Sequence, residues 1–187
     1  KLEKIYTVNE SIADLYFDLY WKRPLVVRNV SSRLDFSSLA EISLPANQPP
    51  ILIFQGAGIN VDRGAEEAVL AMQYISEAQL FFIGDGDVLP KLKNMVTQLE
   101  LEEKVRFFGR MPYLEMMAYT HKAFVGLSLD KPGSPNYENS LPNKLFDYIH
   151  AGTPIIASNL REVNQLVTKN KVGEIIEQVD PKLIAEK

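Results

Sequence analysis

Ile51 to Asp87 reads ILIFQGAGINVDRGAEEAVLAMQYISEAQLFFIGDGD, and the order of its parts decides the fold. The apolar run Ile51 to Gln55 is followed by Gly56-Ala57-Gly58 and the polar Asn60 to Arg63. Ala65, Ala68, Val69, Met72 and Ile75 then recur at helical spacing, so a buried strand passes through a glycine loop into an amphipathic helix. Gln79 to Ile83 (QLFFI) restarts the cycle. Gly84-Asp85-Gly86-Asp87 turns the chain, with a carboxylate expected to cap the next helix.

Outward from this unit the alternation continues. Leu89, Leu92, Val96 and Leu99 mark a helix, Val105 to Phe108 a third strand, and a helix from about Tyr113 to Lys122 follows Gly109. Phe124 to Leu129 is a fourth strand that opens into a long loop reaching Asn143. Pro154 to Ala157 is a fifth, its helix carries Val163, Leu166 and Val167, and Val172 to Ile176 is a sixth. This predicts an α/β domain, a Rossmann-like parallel sheet of about six strands with helices on both faces. Ligands of such sheets bind beyond the carboxyl ends of the strands. The loops Gly56 to Arg63, Gly84 to Asp87, Gly109 to Met111 and Ser128 to Asn143 are therefore expected to line one crevice.

Upstream, Lys4 to Val8 reads as a short strand, and Asn9 or Ser11 caps a helix with Ile12, Leu15, Tyr16 and Leu19 on one face, ended by Pro24. Leu25 to Arg28 is another short strand, and Asn29 to Pro50 is polar, proline-containing and weakly periodic, as a linker is. Residues 1–50 read as the tail of a preceding domain plus a linker, and 51–187 as the domain itself. The opening without an initiator Met reads as the start of a fragment.

With 46% hydrophobic residues the chain has the material for a sizeable core. A net charge of -4 argues against duplex nucleic acid as the main partner, which needs a broad basic surface. The absence of cysteine removes disulfides, thiolate nucleophiles and zinc–thiolate sites. His121 and His150 have no metal-like spacing, so no metal site is expected. The start KLEKIYTVNE lacks the apolar stretch of a signal peptide, and a soluble, cytoplasmic protein is expected.

Chemistry concentrates in Asn136 to Ser158, NYENSLPNKLFDYIHAGTPIIAS. A polar loop leads into a helix whose first turn holds Asn143 and Lys144. The unpaired N–H groups there, with a dipole worth about half a positive charge, suit an anion. Asp147, one turn on, is placed for a ribose diol, with Leu145, Phe146 and Ile149 anchoring the apolar face. A surface helix with a solvated Lys and Asp is the plain alternative. Gly56-Ala57-Gly58 with Arg63 reads equally as a phosphate clamp and as a glycine turn beside a surface arginine. Gly84-Asp85-Gly86 is first a tight turn, and Gly109-Arg110-Met111 is either a strand-end turn or a rim for a flat base. His121 aligns with Leu114, Met117 and Ala118 as a packing residue. His150 lies where a helix dipole favours a cation, and Glu100 to Lys104 reads as a solvated turn.

Taken in order, FQGAGINVDRGAEEAVLAM, LFFIGDGDVLPKL, KVRFFGRMPYLEMMAYTHKAFVGLSL and NSLPNKLFDYIHAGTPIIAS resemble the C-terminal, donor-binding domain of retaining nucleotide-sugar glycosyltransferases of GT-B type (glycosyl transferases group 1). The likeness runs from Ile51 to about Glu177 and implies one half of a GT-B fold. VNESIADLYFDLYWKRPLVVRNV then looks like the end of the acceptor domain and the interdomain linker, and 51–187 like a donor domain truncated at its C-terminus. The resemblance implies sugar transfer from a nucleoside diphosphate to an acceptor with retention, in cell-surface polysaccharide or glycoconjugate synthesis. It assigns Arg63, Lys144, Glu138 and Asn139 to catalysis. Gly56, Gly58, Gly86, Arg110, Met111, Ser140, Leu141, Pro142, Asn143 and Asp147 are assigned to donor binding. It implies no cofactor and no metal. The implied partners are the donor and the missing acceptor domain, through which the intact enzyme would associate peripherally with a membrane; this fragment alone would be inactive.

Three positions depart from the family pattern. Ala57 stands where many members have Arg, Glu138 or Asn139 stands at the first acid of the Glu-x7-Glu element, and Asp147 replaces its second Glu. Lys144 would supply the charge that Ala57 lacks. Two other readings of the fold are a nucleotide-sugar epimerase and a non-catalytic αβ binding domain. The first wants an acid or histidine pair that the sequence does not offer, and a receiver-type module wants acids after the first strand, where Gln55 to Gly58 has none.

Overall fold

The computed structural model describes residues 4–31, 33–39 and 41–187; the remaining positions of the stretch read as tail and linker lie outside the described residues. In chain order the elements are β1 (Tyr6–Thr7), α1 (Glu10–Tyr20), β2 (Leu25–Val26), a 3-10 turn (Phe36–Ser38), β3 (Ile51–Gly56), α2 (Ala65–Ala71), β4 (Gln79–Gly84) and α3 (Leu89–Gln98). Then come β5 (Val105–Gly109), α4 (Tyr113–Lys122), β6 (Val125–Ser128), α5 (Pro135–Glu138), α6 (Asn143–Ala151), β7 (Ile155–Ser158), α7 (Arg161–Asn170), β8 (Gly173–Ile176) and α8 (Pro181–Ala185).

The described residues form a six-stranded parallel sheet in the order β5-β4-β3-β6-β7-β8. Successive strands step outward in opposite directions from β3 and β6, so the switch point of the topology lies between these two. Side chains alternate between the faces. Leu52, Phe54, Leu80 and Phe82 meet Val69 and Met72 of α2, Leu92 and Val96 of α3 and Ile184 of α8. Ile53, Ile83, Ile155 and Ala157 meet Leu145 and Tyr148 of α6 and Val163 and Val167 of α7. Gln55 shares the second face and points toward α4 and α6, although the same alternation makes its run read as apolar.

Helix α6 is pinned to the sheet by Tyr148. Its ring lies flat on Gly126, where a Cβ would fall within 2.6 Å of it, and its hydroxyl donates to the carbonyls of Ile53 and Leu127 at 3.2 and 3.1 Å. Burial raises that hydroxyl's pKa far above the usual tyrosine value, so it stays a donor. Leu145 and Tyr148 are the buried anchors of the helix, while Phe146 and Ile149 are only half-buried.

The N-terminal segment is a small βαβ unit, with Tyr6 opposite Leu25 in parallel pairing. Asn9 caps α1 by accepting from Ile12 N at 2.9 Å. The helix ends at Tyr20 because Trp21 turns left-handed (φ 54) and donates back to Phe17, before Pro24 is reached. The buried Glu162 of α7 accepts from Ser11 N and Ser11 Oγ at 3.0 and 2.6 Å, so this unit is fastened to the large sheet's domain.

Several local expectations are corrected. No side chain caps α3: Asp85 accepts from the adjacent Gly86 N, and Asp87 N donates to Asn60. Lys104 is not simply solvated, since its ammonium donates to the carbonyls of Met72 and Ile75 at 3.2 and 2.7 Å and closes the end of α2. His150 is not left free at the helix end, since its Nε2 accepts from Leu34 N at 3.1 Å. His121 Nδ1 meets Ala151 O at 2.8 Å, and Phe36 packs against both rings.

Candidate functional site

The loops after β3 and β6 meet above the switch point. Lys131 N donates to Asp62 O at 2.8 Å, and Lys131 Nζ pairs with Glu67 at 2.6 Å. Gly64 adopts a left-handed conformation (φ 74) where a Cβ would come within 2.4 Å of Leu129, so only glycine lets the loop close after Arg63. This closure sets Arg63 over the end of β6. Its Nη1 lies 3.0 Å from Asp130 Oδ2, its guanidinium sits 4.4 Å above the Tyr137 ring, and its Nε is buried without a hydrogen-bond partner.

Lys144 arrives from the first turn of α6. Its side chain is 11% exposed, its ammonium lies 3.8 Å from Asp130 Oδ1, and it stands 4.7 Å over the Phe54 ring. Burial lowers its pKa, the Asp130 charge pulls it back up, and Arg63 lowers it further. Asp130 itself is 1% exposed, and among the described residues neither of its oxygens has a hydrogen-bond partner, so the two cations are what faces them. Two positive charges against one negative leave a surplus positive charge beside the N-terminus of α6. Pro142 precedes that helix without a side-chain cap, so its first-turn amides add to an anion-binding end.

Two adjoining clefts open here. One, of about 410 Å³, is lined by Gln55, Gly56, Ala57, Gly84, Arg110, Met111, Tyr113, Lys144 and Asp147. The other, of about 390 Å³, adds Gly58, Arg63, Ser140, Leu141 and Pro142, with Val8 and Ile12 from the N-terminal unit. Gln55, Gly56, Ala57, Asn143 and Lys144 border both. A Cβ on Gly56 or Gly58 would meet nothing closer than 3.9 and 3.4 Å, so the fold does not require glycine at either position and leaves room for a ligand. Gly84 and Gly86 differ, because a Cβ there would lie 1.8 Å from Gly56 O and 2.0 Å from Ile59 O.

Of the residues singled out from sequence, Arg63, Lys144, Asp147, Gly56, Gly58, Arg110, Met111, Ser140, Leu141, Pro142 and Asn143 border these clefts. Three do not. Gly86 is packed on the Ile59 backbone. Glu138 is exposed on α5, and Asn139 turns its amide back to Pro135 O at 2.8 Å. The loop that carries them folds as the turn α5, capped by Ser134. Sequence reading passed over Asp130, Gln55, Tyr113 and Tyr137. An acid ending the apolar run FVGLSLD at a strand's carboxyl end was the available signal for Asp130. Nothing local marked the others.

The model of the family described as "Glycosyl transferases group 1" matches residues 36–187. The chain belongs to the glycosyl transferases group 1 family. Among curated relatives of this family, it is 22% identical over 140 residues to the amylovoran biosynthesis glycosyltransferase AmsK of Erwinia amylovora, covering 73% of this chain and 34% of AmsK. Sucrose-phosphate synthase of Thermosynechococcus elongatus superposes with a TM-score of 0.74 at 18% identity, over 100% of this chain and 48% of that one. HepE of Anabaena, solved in complex with UDP and glucose, gives a TM-score of 0.63 at 14% identity, over 97% and 42%. The fold is that of a Rossmann-like half of a GT-B glycosyltransferase, and the chain spans about half or less of each of these group 1 or GT-B relatives. No described helix is long and apolar enough to cross a membrane, and the described residues hold no cluster of potential metal ligands.

Proposed function

We propose that this chain carries the donor-binding half of a retaining group 1 glycosyltransferase, which moves a sugar from a nucleoside diphosphate to an acceptor in cell-surface polysaccharide or glycoconjugate synthesis. The observation that carries the reading is the convergence of Arg63 and Lys144 on one buried carboxylate, that of Asp130, beside the uncapped start of α6. A diphosphate seated there meets a surplus positive charge and free backbone amides. The glycine loop at Gly56 and Gly58 lets it approach the backbone. HepE binding UDP and glucose supports the same class of ligand, and AmsK, named for amylovoran biosynthesis, supports polysaccharide as the product.

In this reading the cleft beside Gln55, Met111 and Asp147 takes the nucleoside, and the cleft beside Arg63 and Leu141 takes the diphosphate and its sugar. As the sugar–phosphate bond breaks, negative charge grows on the departing diphosphate. Fixed cations and amides in a partly dry site stabilise that charge without reorganising. Side chains supply the positive charge, so the reading assigns no metal or cofactor to this chain. Residues 1–50 are then the end of the acceptor domain and the linker, and the rest of the acceptor site belongs to sequence beyond this chain. We place the enzyme in the cytoplasm, at the inner face of the membrane through that domain.

Thermal melting with UDP-, GDP- and ADP-sugars tests the reading, because a ligand present at about a hundred times its Kd stabilises by roughly 2.7 kcal/mol. One nucleotide series raising the melting temperature is the expected result. No shift, and no heat in calorimetry at millimolar ligand, would exclude it.

A further inference from the structure

Asp147 is gripped at one oxygen from two sides. Tyr113 donates its hydroxyl to Asp147 Oδ1 at 2.8 Å, and Ser31 Oγ, from the segment before the sheet, donates to the same oxygen at 2.6 Å. Among the described residues, Oδ2 meets only Gln55 Nε2, at 3.5 Å. Gln55 is fully buried, and its orientation is set from behind: Thr120 Oγ1 reaches Gln55 Oε1 at 2.6 Å, and Thr153 Oγ1 donates to Thr120 O at 2.6 Å. A polar network running from the helix interior to the cleft therefore fixes the carboxylate's rotation. Burial, and then the Asp147 bond, raises the pKa of the Tyr113 hydroxyl, so it remains a donor at neutral pH.

We propose, resting on the donor reading above, that Tyr113 and Ser31 are positioning residues which occupy Asp147 Oδ1, so that the site reads one ribose hydroxyl through Oδ2 rather than grasping the diol with both oxygens. A carboxylate with one oxygen already holding two donors has little capacity for a third, whereas Oδ2, with only the 3.5 Å contact to Gln55, keeps that capacity on a residue that lines the cleft together with Gln55 and Tyr113. The lone oxygen then sets which hydroxyl of the donor is sensed.

Calorimetry with UDP, GDP and ADP, followed by the 2′-deoxy and 3′-deoxy forms of whichever binds, tests this. One deoxy form should bind about tenfold or more weakly, the loss of one hydrogen bond to a charged group, and the other within about threefold of the parent. In the double variant Ser31→Ala/Tyr113→Phe, verified as folded by thermal melting, Oδ1 is released and the second penalty should grow at least threefold. Equal penalties in the unaltered protein overturn the proposal, as does an unchanged ratio in the double variant. Should the variant not fold, the unaltered protein's two penalties decide alone. Failure of every nucleotide to bind at millimolar concentration sinks instead the donor reading on which the proposal rests.

Discussion

Arg63 Nη1 lies 3.0 Å from Asp130 Oδ2, and the carboxylate, at 1% exposure, has little else to neutralise it than this guanidinium and the ammonium of Lys144. Removing one partner of such a buried set strands the rest, at a cost of about 3–5 kcal/mol. Asp130→Ala, which leaves two cations facing each other, should lower the unfolding free energy by about that amount. Urea denaturation measures it, and an unchanged midpoint would show that the carboxylate is not the counter-charge.

Arg63→Ala and Lys144→Ala should each lower turnover of the intact enzyme on the order of a hundredfold, the usual consequence of deleting one preorganised charge stabiliser. Arg63→Lys should recover only part of this, because an ammonium neither forks onto two phosphate oxygens nor lies flat on the Tyr137 ring 4.4 Å away. Steady-state rates with a saturating donor decide the matter, and undiminished turnover in both alanine variants would dismiss the clamp.

Lys144 links the site to pH. Its folded pKa is lowered, chiefly by burial, below the ordinary 10.5. Between the lowered value and 10.5 the unfolded chain binds a proton that the folded chain does not, so stability rises with pH across that window. Lys144→Met should flatten this rise in a pH series of denaturation curves. A diphosphate beside Lys144 favours its charged form, so nucleotide binding in the same window should take up a proton. Calorimetry in buffers of different ionisation enthalpy reads that uptake directly.

The glycines divide into two groups that mutagenesis separates. Gly84→Ala must fit a Cβ 1.8 Å from Gly56 O at φ 132, and should melt far below the parent protein. Gly56→Ala and Gly58→Ala place their Cβ in ordinary contact, at 3.9 and 3.4 Å, should melt within a few degrees of the parent, and should lose nucleotide affinity. If both sets melt alike, the distinction between fold-required and ligand-required glycines fails.

The sheet was legible because it is a local matter. Each strand from Ile51 onward announces itself as an apolar run, and α2, α3, α4, α6 and α7 as 3.6-residue repeats, whereas the five-residue α8 was not read from the sequence. The expected α4 limits, Tyr113 to Lys122, match the structure. Arg63, Lys144 and Asp147 were legible for a related reason: each stands in a loop or first turn that follows directly from this alternation. The turn at Pro135–Glu138 was not, being four residues long and held by the Ser134 cap rather than by any repeat.

The sequence by itself determined the alternation of strand and helix, and with it which loops gather at the carboxyl edge of the sheet, since hydrophobic periodicity depends only on neighbours along the chain. Tertiary structure alone decided that Asp130 sits between Arg63 and Lys144, and that Ser31, Gln55 and Tyr113 converge on Asp147. Those charges and hydroxyls are 14 to 116 residues apart in sequence. Their pairing follows from the crossing of chains at the switch point and from burial that obliges each polar group to find a partner.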